Sequence, residues 1–387
     1  MSGTTDLEAL RAAEFPWSVD GRTAYLNHAS TGPLPMRTRR ALAEWDLLRS
    51  EPWRIATADQ FGVLARSREL SARMIGAAPD EIALMVNTTY GLNVAASSLP
   101  LQAGDVVVTP DREFPANVYP WMALARRQGL EYRRVPNVGR LADEAALIRA
   151  LDEPRVRALS VSWVSFETGL KLDLQRLGAA CRERRIWFVV DAIQGVGTAP
   201  IDVHACHVDF LACGGQKWLL SPWGTGFVYI RRELVQQLEP HTVGWMAVRN
   251  SEDFTRLCDY ELSWFDNARK FEVITLPFQE FAGLNASLDL FESVGWARVH
   301  ALIAERSAEI VRWAERQPGV TLVTPSDPSR RAGIVSLQVP NPEAASARLW
   351  AAGVPHSLRE GMIRLAPHFY TAPEQVERAL HELRVES

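Results

Sequence analysis

Residues 208–227 read VDFLACGGQKWLLSPWGTGF, and residues 191–203, shortly before them, read DAIQGVGTAPIDV. Each stretch adjoins a short apolar run, IWFVV at Ile186–Val190 and FLAC at Phe210–Cys213. Parallel strands that are buried on both faces have such continuous apolar sequences. Ligands of parallel sheets bind beyond the carboxyl ends of the strands, so the polar residues that follow these two runs are predicted to face a ligand site.

Short apolar strands and helical patterns alternate on both sides of these stretches, which favours an α/β fold with a parallel sheet. Further strands are predicted at Val106–Thr109, Val156–Ser162 and Phe227–Ile230. The last hundred residues have a different pattern, typical of a smaller α+β domain. Its predicted elements are helices at 279–293, 296–316 and Glu343–Ala352, strands at Val320–Val323, Ile334–Val339 and Met362–Ala366, and a last helix from Pro373.

The composition is that of a soluble globular protein, with 47% apolar residues, 23% charged residues and a formal net charge of −4. Charges of one sign form no long run, so we expect neither a nucleic acid nor a membrane as a partner. The four cysteines show no paired metal spacing, and reduced thiols, no metal site and a cytoplasmic location are expected. The first residues, MSGTTDLEALRAAEF, lack a signal-peptide pattern.

Lysine is scarce in this chain, because only Lys171, Lys217 and Lys270 among its 42 basic residues are lysines. A coding bias toward arginine explains the scarcity, but arginine cannot replace an amine that acts as a nucleophile. Lys217 follows two glycines, which allow the backbone to approach a bulky ligand. Burial would lower the pKa of this lysine and free its amine to attack an aldehyde. The alternative is a lysine whose stem packs on the surface while its ammonium reaches water.

Other residues near the strand ends suit a flat, phosphorylated aldehyde cofactor, pyridoxal 5′-phosphate (PLP). Asp191 could keep a pyridine nitrogen protonated, and Gln194 could bond a phenolic oxygen. Thr88 and Thr89 precede an apolar helical pattern, where free amides and hydroxyls bind phosphate. Phe114 could stack on the ring. Ordinary alternatives are a turn or helix cap for the aspartate and threonines, a surface position for the glutamine and a core position for the phenylalanine.

The segment PHSLREGMIRLAPHF, residues 355–369, carries Arg364 inside an apolar run. The planar guanidinium of arginine bonds a carboxylate through two parallel hydrogen bonds. The apolar flanks single out this arginine among the 39 in the chain. We therefore predict that it binds the carboxylate of a substrate.

From YLNHASTGPLP at Tyr25 to the last helix, the chain resembles the class V aminotransferase family of fold-type I PLP enzymes. This family includes cysteine desulfurases, kynureninases, isopenicillin N epimerase-like proteins and certain C–S lyases. The order and spacing of Asp191, Gln194 and Lys217 carry the most specific part of the resemblance. It implies an α/β large domain with a mostly parallel seven-stranded sheet and a smaller α+β C-terminal domain. The implied domains are residues 21–275 for the first, and residues 1–20 with 276–387 for the second.

The resemblance also implies how the cofactor ring is held. Lys217 matches the lysine that carries PLP as a Schiff base and later acts as the general base. Asp191 matches the partner of the pyridine nitrogen, and Gln194 the partner of the phenolic oxygen. Phe114 matches the position that stacks on the ring, which is histidine in desulfurases and phenylalanine in kynureninase-like members.

The remaining implied roles concern the phosphate, the substrate and a second subunit. Thr88 and Thr89 match phosphate-binding positions, and Gln216 stands where the family usually has a histidine that contacts the cofactor. Thr275 matches a residue that reaches the phosphate of the neighbouring subunit's cofactor, which implies a homodimer. Arg364 matches the arginine that binds the α-carboxylate of an amino-acid substrate.

Several departures from the family pattern bear on the reaction. Gly215 lies where a phosphate-binding serine is common, and Phe166 lies near the place of an asparagine in desulfurases. Residues 355–369 contain no cysteine, and persulfide chemistry needs a mobile thiolate, so a desulfurase with a cysteine loop is not expected.

The expected activity is PLP chemistry at the α-carbon of an amino acid, with transamination favoured because it needs only Lys217. A C–S β-lyase and an amino-acid epimerase are the alternatives within the family. Two readings from other classes are a nucleotide-binding oxidoreductase, which would need a GxGxxG motif that this sequence lacks, and a protein that binds PLP without catalysis.

Overall fold

The computed structural model describes residues 6–384 and contains a seven-stranded sheet with strand order β1-β7-β6-β5-β4-β2-β3. Strands β2 to β6 pair in parallel, and β7 runs antiparallel to both of its neighbours. The predicted mostly parallel sheet is therefore confirmed. The strands are β1 Ile82–Leu84, β2 Val106–Pro110, β3 Glu131–Val135, β4 Val156–Ser162, β5 Trp187–Asp191, β6 Phe210–Gly214 and β7 Gly226–Ile230.

Burial explains which strands the sequence identified. The five predicted apolar runs are β2, β4, β5, β6 and β7, and β6 is buried at every position. The two remaining strands, β1 and β3, are the edges of the sheet. Strand β1 reads IAL and is fully buried, but it has only three residues. Strand β3 reads EYRRV with four of its five residues partly or fully exposed, so it shows no continuous apolar run.

A second sheet of four antiparallel strands follows, in the order β10-β11-β9-β8. It confirms the predicted strands near residues 320–323, 334–339 and 362–366. It adds β10, which the sequence analysis missed because it reads SLR, with two of its three residues exposed, and shows no apolar run. These strands are β8 Thr321–Leu322, β9 Val335–Gln338, β10 Ser357–Arg359 and β11 Met362–Leu365.

Helices cover both sheets. The helices are α1 Leu7–Glu14, α2 Met36–Ser50, α3 Thr57–Ile75, α4 Thr88–Ser98, α5 Tyr119–Gln128, α6 Glu144–Ala150, α7 Leu174–Arg184, α8 Arg232–Gln237, α9 Phe278–Val294, α10 Trp296–Ala314, α11 Pro342–Ala351 and α12 Pro373–Glu382. The helices predicted at 279–293, 296–316 and 343–352 and from Pro373 correspond to α9 to α12. Proline at the first position of α12 is favourable, since its missing N–H has no partner there in any case.

The N-terminal segment joins the core of the small sheet. Ala24 and Leu26 are buried there, and their N–H groups donate to the carbonyls of Gly353 and Pro355 at 2.8 and 2.9 Å. The predicted domain boundaries, after residues 20 and 275, stay predictions. Residues 1–5 and 385–387, which belong to the predicted small domain, lie outside the described residues.

A buried ion pair connects α3 to β1. Both Arg68 and Glu272 are buried, and two N–H groups of the guanidinium donate to the carboxylate at 2.9 and 2.7 Å. The same carboxylate accepts from the backbone N–H of Leu84 in β1 at 2.9 Å. Removing one member of such a pair leaves the other charge buried without compensation, which is strongly destabilising.

We therefore expect Glu272→Gln to lower the free energy of unfolding by ~3–5 kcal/mol. Glu292→Gln is the matched control, because Glu292 pairs with Arg73 of α3 in the same two-bond geometry but in an exposed position. Exposed pairs contribute about 1 kcal/mol or less. Urea denaturation of both variants measures the difference, and equal losses of stability would contradict this assignment.

Candidate active site

The carboxyl ends of β5 and β6 bring the predicted catalytic residues together. Asp191 is the last residue of β5, and Lys217 follows the last residue of β6, Gly214, by three positions. The N–H of Gly214 donates to the hydroxyl oxygen of Thr88 at 2.9 Å, so the start of α4 lies against the same strand end. Residues that are far apart in sequence therefore meet at one edge of the sheet.

The amine of Lys217 is withdrawn from water. Burial lowers the pKa of Lys217 from its ordinary value of about 10.4 to about 8. The negative charge of Asp191 opposes this shift, and the positive charges of Arg364 and Arg359 add to it. Lys217 is only partly exposed, and its environment shifts the amine toward the neutral form that can attack an aldehyde, which is not expected of a lysine whose ammonium reaches water.

Asp191 is a buried carboxylate that can face a cofactor ring. Burial raises the pKa of Asp191 to about 6, and a hydrogen bond from the N–H of Ile193 and the charge of Lys217 oppose that rise. The Ile193 N–H lies 3.1 Å from Oδ1, which is the turn contact that the sequence left open as an alternative. Residues 193–198 form turns, so Asp191 does not cap a helix. A carboxylate with this pKa is mostly ionised at neutral pH.

Gln194 is held at both ends of its amide. Its Nε2 donates to the carbonyl of Ala29 at 3.0 Å, and its Oε1 accepts from the indole N–H of Trp218 at 2.7 Å. The side chain is buried, so the surface alternative is wrong. An amide nitrogen carries two hydrogens, and the one that is not directed at Ala29 is available to a ligand.

The start of α4 has a side-chain cap and lies against the strand end at Gly214. Asn87 caps the helix by accepting from the N–H of Tyr90 at 2.8 Å, so the cap is this asparagine and neither Thr88 nor Thr89. Thr88 is buried and Thr89 is exposed at the first helical positions, where free N–H groups attract anions. A Cβ atom on Gly214 would lie 3.2 Å from the hydroxyl of Thr88, so glycine keeps this space open.

Gln216 also faces the space beside Gly214. Its Oε1 is buried with no hydrogen-bond partner within residues 6–384, and a Cβ on Gly214 would lie 2.5 Å from it. A buried polar atom without a partner is rare in folded proteins. Turning the amide over would place N–H donors in the same position, and these would suit a phosphate oxygen.

Arg364 is a buried guanidinium in β11. It donates from Nη1 to the carbonyl of Phe166 at 2.7 Å and from Nη2 to the hydroxyls of Ser30 and Ser357 at 2.8 and 3.3 Å. Its Nε has no hydrogen-bond partner in the described part of the chain, and no carboxylate there forms an ion pair with it. Burial lowers the pKa of Arg364 to about 9, and the charge of Arg359 adds to this. Such a cation is suited to an incoming carboxylate.

The ring of Phe114 borders the space beside Lys217. The side chain is 41% exposed, and its ring centroid lies 5.5 Å from the Lys217 amine and 5.2 Å from the ring of Phe166. The core alternative for Phe114 is therefore wrong. Thr275, by contrast, lies on an exposed stretch, where its hydroxyl accepts from the indole of Trp245 at 2.8 Å.

Sequence reasoning missed a partly buried acid beside the site. Glu113 accepts from both the backbone N–H and the hydroxyl of Ser162 at the end of β4. Burial raises the pKa of Glu113 to about 7, the bonds from Ser162 oppose this, and Asp191 adds to it. The segment DREFPANVYPW drew attention to the phenylalanine, whereas the glutamate lies beside two other charged residues and carries no pattern of its own.

The described residues form neither a metal-binding cluster nor a membrane-spanning helix. Within residues 6–384, no group of three or more His, Cys, Asp and Glu side chains could hold a metal ion. None of the helices described is long and apolar enough to cross a membrane.

The sequence of residues 25–351 matches the family model for aminotransferase class V. The chain belongs to this family. Isopenicillin N epimerase of Streptomyces clavuligerus is 30% identical over 374 residues, which cover 93% of this chain and 94% of the relative. A probable cysteine desulfurase of Methanothermobacter thermautotrophicus is 30% identical over 372 residues, which cover 92% and 87%.

Solved structures agree with the sequence matches. The complex of the cystine C–S lyase C-DES with its product cysteine persulfide has a TM-score of 0.86 and 27% identity, and covers 96% of this chain and 99% of that one. A C-DES mutant with glycine covalently linked to its PLP cofactor has a TM-score of 0.87 and 26% identity, with coverage of 96% and 98%.

The protein is thus a PLP-dependent class V enzyme with the fold-type I architecture, as the sequence predicted. The residues present fit this cofactor, because a desolvated amine, a buried carboxylate and a polar recess that only glycine leaves open all lie at the same strand ends. The oxidoreductase reading is wrong.

Proposed function

We propose that this enzyme carries out transamination of an amino acid, with Lys217 moving the proton of the α-carbon. The observation that carries the proposal is the desolvated amine of Lys217 beside the carboxylate of Asp191 and within the field of Arg364. When bound, PLP supplies an aldehyde that bonds amines and a ring that accepts electrons from the α-carbon. The chain's own residues hold the reactants and move the proton.

In this proposal, five side chains hold the ring and phosphate of the cofactor. Asp191 bonds the pyridine nitrogen, and the free N–H of Gln194 bonds the phenolic oxygen. Thr88 and Thr89 bind the phosphate through hydroxyls and helix N–H groups, and the amide of Gln216 replaces the histidine that is usual in the family.

Three further groups act on the substrate and on the face of the ring. Phe114 stacks on the ring, because its face is exposed beside the lysine amine. Arg364 binds the α-carboxylate with its unpartnered Nε and with the N–H groups that Ser30 now accepts from. With the carboxylate fixed, the neutral amine of Lys217 takes the α-proton as general base.

A second copy of the chain belongs to the proposal. Thr275 lies on an exposed stretch, and exposed apolar side chains are concentrated in the preceding segment, where Tyr260 is 90% and Leu262 is 73% exposed. Exposed apolar patches mark protein interfaces. We propose a homodimer in which Thr275 reaches the phosphate in the partner's site, a large domain of residues 21–275 with a small domain formed by the rest, and a cytoplasmic location.

The second candidate is elimination at a C–S bond. It is favoured by the likeness to the cystine C–S lyase C-DES along nearly the whole chain. Its first steps would use the same lysine as base, so both reactions fit the same site.

Epimerisation, the activity named for the Streptomyces clavuligerus relative, ranks third. A second base opposite Lys217 would serve inversion at the α-carbon, and Phe114, the side chain proposed to stack on the ring, has no proton to exchange.

A desulfurase with a cysteine loop does not suit the site. Strands β10 and β11 are joined by Glu360 and Gly361 alone, both with positive φ, so a tight turn occupies the place of a long loop. Cys213, near Lys217, is buried, and burial raises the pKa of its thiol above the ordinary range. A mobile thiolate is therefore not available from these elements.

Incubation of the holoenzyme with pooled amino acids and α-keto acids, followed by mass spectrometry, tests the proposal. Transamination yields new keto acids and the pyridoxamine form of the cofactor. Pyruvate, ammonia and a released sulfur species would contradict transamination and indicate a C–S lyase. D-amino acids would contradict it and indicate an epimerase. Complete inertness with the cofactor bound would favour a protein that binds PLP without catalysis.

A further inference from the structure

The indole of Trp218 lies directly behind the proposed partner of the phenolic oxygen. Trp218 follows Lys217 and is fully buried, and its Nε1–H donates to Oε1 of Gln194 at 2.7 Å. Gln194 is buried as well, so this hydrogen bond does not compete with water.

This contact fixes which way the amide of Gln194 points. An indole N–H is a donor only, so it must meet the carbonyl oxygen of the amide. On the other side, the carbonyl of Ala29 is an acceptor only and meets the amide nitrogen at 3.0 Å. A flipped amide would oppose a donor to a donor and an acceptor to an acceptor, which would cost two buried hydrogen bonds.

The indole itself cannot swing away. Its ring stacks on the imidazole of His368 with centroids 5.6 Å apart, and its backbone carbonyl bonds Nε2 of the same histidine at 3.0 Å. A Cβ atom on Gly333 would overlap the far edge of the indole ring, so the packing is close there too. A rigid donor is therefore aimed at a single acceptor.

We propose that Trp218 is a positioning residue that holds the second N–H of Gln194 toward the phenolic oxygen of PLP. The inference rests on the proposed contact between Gln194 and that oxygen. The donor stabilises the full negative charge that the oxygen carries when the lysine–PLP Schiff base is unprotonated, and a bond to the charged form favours that form. Trp218 thus keeps the pKa of the Schiff base low without touching the cofactor.

Titration of the Schiff-base absorbance against pH tests this role in the holoenzyme. Trp218→Phe keeps an aromatic ring against His368 but removes the N–H, so the amide can turn. We expect the pKa of the Schiff base to rise by about one pH unit, the equivalent of one hydrogen bond. The charged groups that face Lys217, namely Asp191, Arg364 and Arg359, and the buried thiol of Cys213 are the same in both proteins.

Trp121→Phe is the matched control. Trp121 is also fully buried, but its Nε1 has no hydrogen-bond partner within residues 6–384. The same change of side chain therefore removes no hydrogen bond. It should leave the Schiff-base pKa unchanged. Gln194→Ala should raise that pKa, and adding Trp218→Phe to it should produce no further rise, because the indole acts through the amide.

The outcomes distinguish the positioning role of Trp218 from the proposed contact between Gln194 and the phenolic oxygen. If Gln194→Ala moves the pKa and Trp218→Phe does not, the positioning role is refuted while the contact of Gln194 stands. If Gln194→Ala itself has no effect, both fail. The positioning role is also refuted if Trp218→Phe still raises the Schiff-base pKa in a protein that already carries Gln194→Ala. Should Trp218→Phe not fold, Trp218→Met, which fills the space flexibly and without a donor, gives the same readings.

Discussion

Replacement of Lys217 by alanine should remove the yellow Schiff-base absorbance and lower turnover by on the order of 10⁴-fold, the upper range for loss of a general acid–base group. The amine is buried, and that burial lowers its pKa to about 8. Alanine offers neither the nucleophile that bonds the aldehyde nor the base that takes the α-proton. Spectra of the variant with added PLP, together with turnover assays, measure both losses.

The chain provides its own controls for this prediction. Lys171→Ala and Lys270→Ala should keep the absorbance, and borohydride reduction of the wild-type holoenzyme should link the cofactor to the peptide that contains Lys217. Lys217→Arg keeps the positive charge but should also be colourless, because a guanidinium does not act as the nucleophile. A Lys217→Ala protein that borohydride still links covalently to the cofactor, or a label on either other lysine, would refute the assignment.

The lowered pKa gives the reaction with PLP a pH dependence. The amine attacks as the free base, so its rate with added PLP should rise tenfold per pH unit below the pKa and level off above about 8. An ordinary lysine would show a rising rate up to pH ~10. Stopped-flow measurement of Schiff-base formation by the apoprotein distinguishes the two curves.

The parts of the fold that the sequence predicted are those where burial leaves a simple pattern. Strands β5 and β6 are covered on both faces, so each reads as an uninterrupted apolar run that ends where the polar site begins. Edge strand β3 reads EYRRV, so three of its five residues are charged and most of the strand is partly exposed. Strand β10 has three residues, two of them exposed. Their pairing depends on neighbours that a local pattern does not reveal.

The site followed the same rule. Lys217 and Asp191 were predictable because each lies at the end of a buried apolar run, and the scarcity of lysine drew attention to Lys217. The contacts that orient the site join distant segments: Gln194 bonds Ala29, and Arg364 bonds Ser30 across 334 positions. No spacing along the chain encodes such pairs, since they arise only when the strand ends meet. The orientation of the Gln194 amide and the hydrogen bond from Trp218 could therefore be seen only in the structure.

Replacement of Asp191 by asparagine should lower turnover by at least about 100-fold while the protein stays folded and yellow. Asparagine can still accept the N–H of Ile193, which reaches Oδ1 at 3.1 Å, so the turn after β5 is preserved. What is lost is the negative charge that, in the proposed arrangement, keeps the pyridine nitrogen protonated. A charge-assisted hydrogen bond of ~3 kcal/mol that is lost from the transition state corresponds to about two decades in rate.

The loss of rate should fall on removal of the α-proton, because that is the first step in which the cofactor ring has to accept electrons. Exchange of the substrate α-proton with deuterium from solvent, followed by mass spectrometry, reports that step directly, and Asp191→Glu should restore part of it by returning the charge. The same substitution has a second consequence: Asp191 raises the pKa of Lys217, so without that charge the plateau of Schiff-base formation should move to lower pH. An Asp191→Asn enzyme that exchanges the α-proton at the wild-type rate would exclude this carboxylate as the partner of the ring, whatever its effect on cofactor affinity.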